Sequence, residues 1–81
     1  KSYTVPAFSS GVITHIDNGL FNKMARLAGA PHDQEAGVYL YHHKGAKVSK
    51  GEKLFTIYSD SRERLMYAVD VWKQLHGIEI T

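Results

Sequence analysis

The sequence predicts a small α+β domain: a β-core with two helices packed on it. Three observations lead there. Apolar residues recur at helical spacing in two stretches, Leu20 or Phe21 with Met24, Leu27 and Ala28, and Leu65 with Val69, Trp72 and Leu75 or His76. Around them lie short alternating runs rich in Val, Ile, Thr and Tyr, bounded by Gly, Pro, Asp and Ser. The chain has 81 residues, enough for one domain over residues 1–81 and too few to add a deep substrate cleft.

Tyr3-Thr4-Val5 reads as a short strand that stops at Pro6, which has no N–H to give a ladder. Ser9-Ser10-Gly11 is a turn, and Val12 to Ile16 is a β-branched strand. Asp17-Asn18-Gly19 closes it and offers an N-cap to the first helix. Lys23 and Arg26 fall on that helix's polar side, Gly29 stands at the C-cap and Pro31 blocks continuation. His32 to Ala36 reads as a polar loop, Val38 to His42 as an alternating strand and Lys44 to Glu52 as a turn-rich stretch. Leu54 to Tyr58 is the next strand. Asp60, with Glu63 three residues on, is expected to cap the second helix. Gly77 ends it, and Ile78-Glu79-Ile80 adds a last short strand. No repeat, low-complexity tract or internal linker interrupts the chain.

Composition narrows the function. Ten Lys and Arg against eight Asp and Glu leave a formal charge of +2, too little to argue for nucleic acid or an anionic membrane. With no cysteine, disulfides and thiolate metal sites are excluded. No apolar run approaches the roughly 20 residues of a membrane span. The cytoplasm is the expected setting. The chain opens on Lys1 rather than Met, so a segment of a longer protein is expected.

Gly45-x-x-Val48-x-x-Gly51-x-x-Leu54 is the most informative spacing. It describes a tight double turn in which the glycines take backbone angles other residues avoid, Val48 points inward and Leu54 opens the next strand. Together with Ser10 to Ile16 it resembles the two halves of a barrel-sandwich hybrid, as in biotinyl and lipoyl carrier domains. A carrier needs a modifiable lysine at a hairpin tip in a Met-Lys-Met or Asp-Lys setting. Lys44, Lys47, Lys50 and Lys53 have no such setting, and the plain reading is a solvated turn. The same lysines near Tyr39, Tyr41, Phe55 and Tyr58 could form a single-strand nucleic-acid patch. Strand alternation divides those aromatics between faces, and the core claims some.

Other chemistry is weaker still. His15 and Asp17 share a strand face, while the neighbours His42 and His43 point apart, so no metal set emerges. The serines lie in turns, and Asp60 and Glu63 are occupied as a cap. No nucleophile–base pair is evident, so no catalytic, cofactor or metal residue is assigned. Trp72 reads as a core anchor; with Tyr39 and Tyr41 it is also a candidate interface residue should it prove exposed.

Taken in order, Ser10-Gly11-Val12-Ile13-Thr14-His15-Ile16-Asp17, Leu27 to Pro31, Ala36 to Leu40 and Gly45 to Tyr58 resemble the C-terminal domain of the thymidine and pyrimidine nucleoside phosphorylases. The similarity covers nearly the whole chain and is closest to the archaeal-type thymidine phosphorylase and AMP phosphorylase branch. Ala46, where many bacterial members carry Asp, favours that branch. The resemblance implies a barrel-sandwich or α/β-hammerhead domain packed on the catalytic α/β domain of the same chain, in a homo-oligomeric parent. The parent would cleave AMP or thymidine with phosphate as co-substrate, releasing free base and a sugar 1-phosphate. The family's phosphate- and base-binding motifs lie upstream and do not occur here, so this segment alone is expected to be inert and to hold no cofactor. A biotinyl- or lipoyl-like carrier and a small RNA-binding module stay open as alternatives.

Overall fold

A computed structural model describes residues 1–30 and 35–81 of the chain. The predicted stop at Pro31 and the start of the polar loop at His32 lie outside the described residues. The element order is β1 (Ser2–Pro6), β2 (Gly11–Ile16), α1 (Asn18–Ala28), β3 (Gly37–Leu40), β4 (Lys47–Val48), β5 (Lys53–Tyr58), α2 (Arg62–Leu75) and β6 (Ile78–Ile80). The fold is α+β, with two helices and two three-stranded antiparallel sheets, ordered β1-β5-β3 and β4-β2-β6.

The first sheet is built around β5. Its register sets Val5 against Phe55 and Thr4 against Thr56 on one side, and Leu40 against Phe55 and Tyr39 against Thr56 on the other. Leu54, Phe55, Thr56 and Ile57 are all buried: Phe55 and Ile57 share the face that meets the helices, and Leu54 and Thr56 lie on the other. β1 lies at the edge, where Pro6 costs no ladder bond, and the register shifts between Val5 and Pro6.

Helix α1 starts where Asp17 Oδ1 accepts the Leu20 N–H at 3.1 Å. Leu20, Phe21, Met24 and Ala28 are buried on its inner side, so both Leu20 and Phe21 belong to the core. Gly29 closes the helix, its N–H donating to the carbonyls of Ala25 and Arg26. Three aromatic rings then tie the layers together. Phe55 meets Phe21 edge to face at 4.9 Å and Trp72 at 4.7 Å. Buried Ser59 joins the helices differently, donating to the Ala28 carbonyl at 2.6 Å and accepting the Ser61 N–H at 3.2 Å.

Four expectations need correction. The N-cap of α2 is Ser61, not Asp60: Ser61 holds the extended conformation (φ −107°, ψ 125°) and its hydroxyl accepts the Arg64 N–H. Both residue types cap well, and sequence alone does not fix which sits one step before the helix. Glu63 keeps a first-turn place near the positive helix end. Leu75 is 62% exposed, because the chain reverses at His76 (φ +62°) and the buried stripe of Leu65, Ala68, Val69 and Trp72 ends first. β3 stops at Leu40 rather than His42, since the turn closed by the Ala46 N–H on His43 carries the chain over to β2. That stretch also contains β4, a two-residue strand too short to leave a periodic signal.

Candidate functional site

The glycine turns form one surface. Gly45 (φ +93°) and Gly51 (φ +95°) occupy the left-handed side of backbone space, which favours glycine. The Gly45 N–H donates to Ile13 O at 2.7 Å and the Gly51 N–H to Ala7 O at 2.9 Å. The Ala7 N–H returns a bond of 2.6 Å to Glu52 O. Val48 is buried between the turns, and Leu54 is buried one residue into β5. These bonds clasp the turn stretch onto β2 at Ile13 and onto the β1–β2 connection at Ala7. Lys44, Lys47, Lys50 and Lys53 all stand in solvent. Glu52 accepts the Ser49 N–H at 2.8 Å and lies 3.3 Å from His42 Nε2, so the local carboxylate is used within the turn.

Among the described residues the structure does not gather the histidines. His15 is registered against Glu79 and is exposed, and Asp17 is spent on capping α1. Among the described residues no group of three or more His, Asp or Glu could hold a metal.

Two aromatic features remain. The first is the outer face of the β1-β5-β3 sheet. Thr56, at its centre, is 2% exposed and shares 2.9 Å hydrogen bonds with the Thr4 hydroxyl and the Tyr41 hydroxyl. Tyr39 meets Tyr41 edge to face at 4.9 Å, and Lys53 Nζ lies 5.9 Å from the Tyr41 ring centre. Tyr58 joins this face by strand period from Thr56. The hydrogen bond from Thr56 holds the Tyr41 phenol below the ordinary tyrosine range, aided by Tyr58 and Lys53 and opposed by partial desolvation. Tyr58 is pushed up, first by its hydrogen bond with Tyr41 and then by desolvation.

The second feature is a cleft of about 490 Å³ lined by Val5, Pro6, Phe8, Trp72, His76 and Ile78. Trp72 is 6% exposed, so it serves the core while lining the cleft, its ring centre 5.4 Å from that of His76. Phe8, half exposed, forms the opposite wall. Of these groups, the spacing in the sequence drew attention to Tyr39, Tyr41 and Trp72. Tyr58 drew notice only beside the turn lysines and His76 only as an alternative in the α2 stripe; Thr56 and Phe8 were missed. A lone threonine within Leu54-Phe55-Thr56-Ile57 was the one local signal for a buried hydroxyl; Phe8 in its turn gave none.

A pH titration tests the hydroxyl network. Tyr41 is expected to ionise before Tyr58, and before free tyrosine, in an alkaline titration followed by phenolate absorbance. Its folded pKa is lowered, so its ionised form favours the fold above the unfolded pKa, and that contribution fades as pH falls through the folded pKa. The raised pKa of Tyr58 acts oppositely, favouring the fold below the unfolded pKa until pH climbs through the folded one. Thr56→Val should move Tyr41 back toward free tyrosine. An unchanged Tyr41 titration in Thr56→Val would show that Thr56 does not set it.

The chain is thus an α+β domain that carries hydroxyl-bearing aromatics on one sheet face. The family model for the pyrimidine nucleoside phosphorylase C-terminal domain matches residues 12–79, and the chain belongs to that family. It is 45% identical over 80 residues to the AMP phosphorylase of Pyrococcus abyssi, covering 99% of this chain and 16% of that protein. It is 47% identical over 70 residues to the AMP phosphorylase of Methanocaldococcus jannaschii, covering 86% of this chain and 14% of that one. A Legionella pneumophila (strain Paris) protein, provisionally named thymidine phosphorylase, is 44% identical over 79 residues, or 98% of this chain and 15% of its own length. The chain thus spans about one-sixth of the curated relatives it matches.

Proposed function

We propose that residues 1–81 form a single domain at the C-terminal end of a longer nucleoside or nucleotide phosphorylase, where it supports the catalytic α/β domain and subunit assembly. The observation that carries this reading is the family match over residues 12–79, joined to relatives in which the matched region is a small part of a longer enzyme. In the parent, phosphate attacks the anomeric carbon of the substrate, the glycosidic bond to the base breaks, and free base and a sugar 1-phosphate leave. AMP as substrate would give ribose 1,5-bisphosphate. The names of the archaeal relatives favour AMP over thymidine.

Within this reading the domain holds neither cofactor nor catalytic residue, and phosphate belongs to the parent's active site. The turn residues Gly45, Val48, Gly51 and Leu54 fasten the two sheets into a barrel-sandwich, or α/β-hammerhead, core, a role supported by the pairing of Gly45 and Val48 with β2 and of Gly51 with Ala7. The parent is read as a cytoplasmic homo-oligomer, and no helix among the described residues is long and apolar enough to cross a membrane.

The test is phosphorolysis by the longest reading frame that contains these residues, with AMP, thymidine and uridine as substrates. The expected result is phosphate-dependent base release by the full chain, fastest with AMP, and none by residues 1–81 alone. Deleting the domain should lower stability, assembly or turnover. A full chain that releases no base from any of the three, or a deletion that changes nothing, would overturn the reading.

A further inference from the structure

The outer face of the β1-β5-β3 sheet is organised as a contact surface. Tyr39, Tyr58 and Tyr41 are 58%, 40% and 37% exposed, a concentration of large aromatic area on one side of one sheet. The face is also held in shape. Tyr41 is fixed by the buried Thr56 hydroxyl at 2.9 Å, and Tyr39 packs edge to face on Tyr41. Side chains already held in one geometry lose little freedom when a partner arrives. Tyrosine also suits an interface core, because its ring is apolar and its hydroxyl can find a partner. On the reverse side of this sheet Phe55 and Ile57 are wholly buried, and Tyr3, registered against Ile57, is 38% exposed.

The chain's own path indicates the occupant. The curated relatives carry the matched region as 14–16% of their length, and the family description places it at the C-terminal end. In a chain so built, the remaining body enters through β1. The Lys1 carbonyl accepts the Ser59 N–H at 3.0 Å, and Ser2 is registered against Tyr58. The entering chain therefore emerges beside Tyr58, and a body tethered there meets the tyrosine face at high effective concentration. The Phe8 cleft starts at the far end of β1, about 13 Å away at roughly 3.3 Å per residue. We propose that the tyrosine face of the β1-β5-β3 sheet is the seat of the upstream body of the same chain, with Tyr39 and Tyr58 as its anchors. This deepens the reading of a phosphorylase C-terminal domain and rests on it.

Tyr67 on α2 supplies an internal control, because it is 58% exposed, the same as Tyr39. Hydroxyl-radical footprinting of the full-length chain compares the two directly and needs no substitution. Tyr39 and Tyr58 should be oxidised about tenfold or more slowly than Tyr67, as expected for residues at the dry centre of an interface. This protection should persist on dilution to concentrations at which the chain is a monomer. Equal oxidation of Tyr39 and Tyr67 overturns the proposal, as does protection of Tyr67 or Phe8 with Tyr39 left reactive. Protection that disappears on dilution assigns the face to a second copy and also overturns it. Phosphorolysis assayed on the same sample separates the two levels: activity with Tyr39 reactive keeps the family function and rejects the docking face, whereas a protected Tyr39 without activity rejects the function and keeps the intramolecular contact.

Discussion

Replacing Phe55 with alanine is expected to destabilise the domain by about 3–5 kcal/mol, as large-to-small changes of buried phenylalanine do. Phe55 is fully buried on the central strand of the first sheet, opposite Val5 of β1 and Leu40 of β3. Its ring meets both helices, through Phe21 of α1 and Trp72 of α2. Truncation loses the transfer energy of the ring and leaves a void that three elements would have to close in concert. A domain of this length has a total stability of roughly 4–12 kcal/mol at 0.05–0.15 kcal/mol per residue. The substitution therefore removes roughly a quarter or more of it, and at the lower end leaves the domain unfolded. Urea denaturation provides the measurement: the midpoint should fall steeply with little change in slope. Leu75→Ala, at a 62% exposed position, is the reference and should stay within about 0.5 kcal/mol. A Phe55→Ala midpoint close to the Leu75→Ala value would mean that the aromatic trio does not join the layers.

How far this architecture could be read in advance depended on the range of the signal. The two helices announced themselves because Leu20, Met24 and Ala28, and Leu65, Val69 and Trp72, repeat over several turns with polar residues between them. Their ends were harder, since Asp60 and Ser61 are adjacent residues with the same capping chemistry. Strand existence was clear from Val12 to Ile16 and from Leu54 to Tyr58. Strand partners were not, because pairing β5 with both β1 and β3 is a property of contacts distant in sequence. That is why Thr56 went unnoticed and Phe55 was grouped with Tyr39, Tyr41 and Tyr58, although it is Thr56 that meets the three tyrosines on one face. β4 has two residues and no period to detect. The family was legible for a different reason: an ordered set of short turn and strand motifs, each weak alone, fixes a chain far better than any one of them. No such set encodes a surface, so the docking face had to come from geometry.

Gly77→Ala should cost roughly 2–4 kcal/mol, combining backbone strain with overpacking. Gly77 has φ +75° directly after His76 at φ +62°, so the link from α2 to β6 runs through two successive left-handed residues. Alanine at this φ bears the steric penalty glycine avoids, on the order of 1–2 kcal/mol. The added Cβ would also collide with Leu20 Cδ2 and reach Asp17 Cβ at 3.5 Å. Leu20 is only 6% exposed and cannot swing clear without opening the core beneath α1. The Gly77 carbonyl accepts the Asp17 N–H at 2.8 Å, so any shift of the link also disturbs the N-cap of α1. Gly45→Ala separates the two contributions. Gly45 has φ +93°, but a Cβ there meets nothing within 4 Å, so only backbone strain remains. The difference between the two urea midpoints then measures the contact with Leu20. If Gly77→Ala and Gly45→Ala lose equal stability, Leu20 yields freely and the α2–β6 link is held by backbone conformation alone. If Gly77→Ala loses the additional 1–3 kcal/mol expected of overpacking, the link is wedged against α1 and fixes where the second sheet sits relative to the helices.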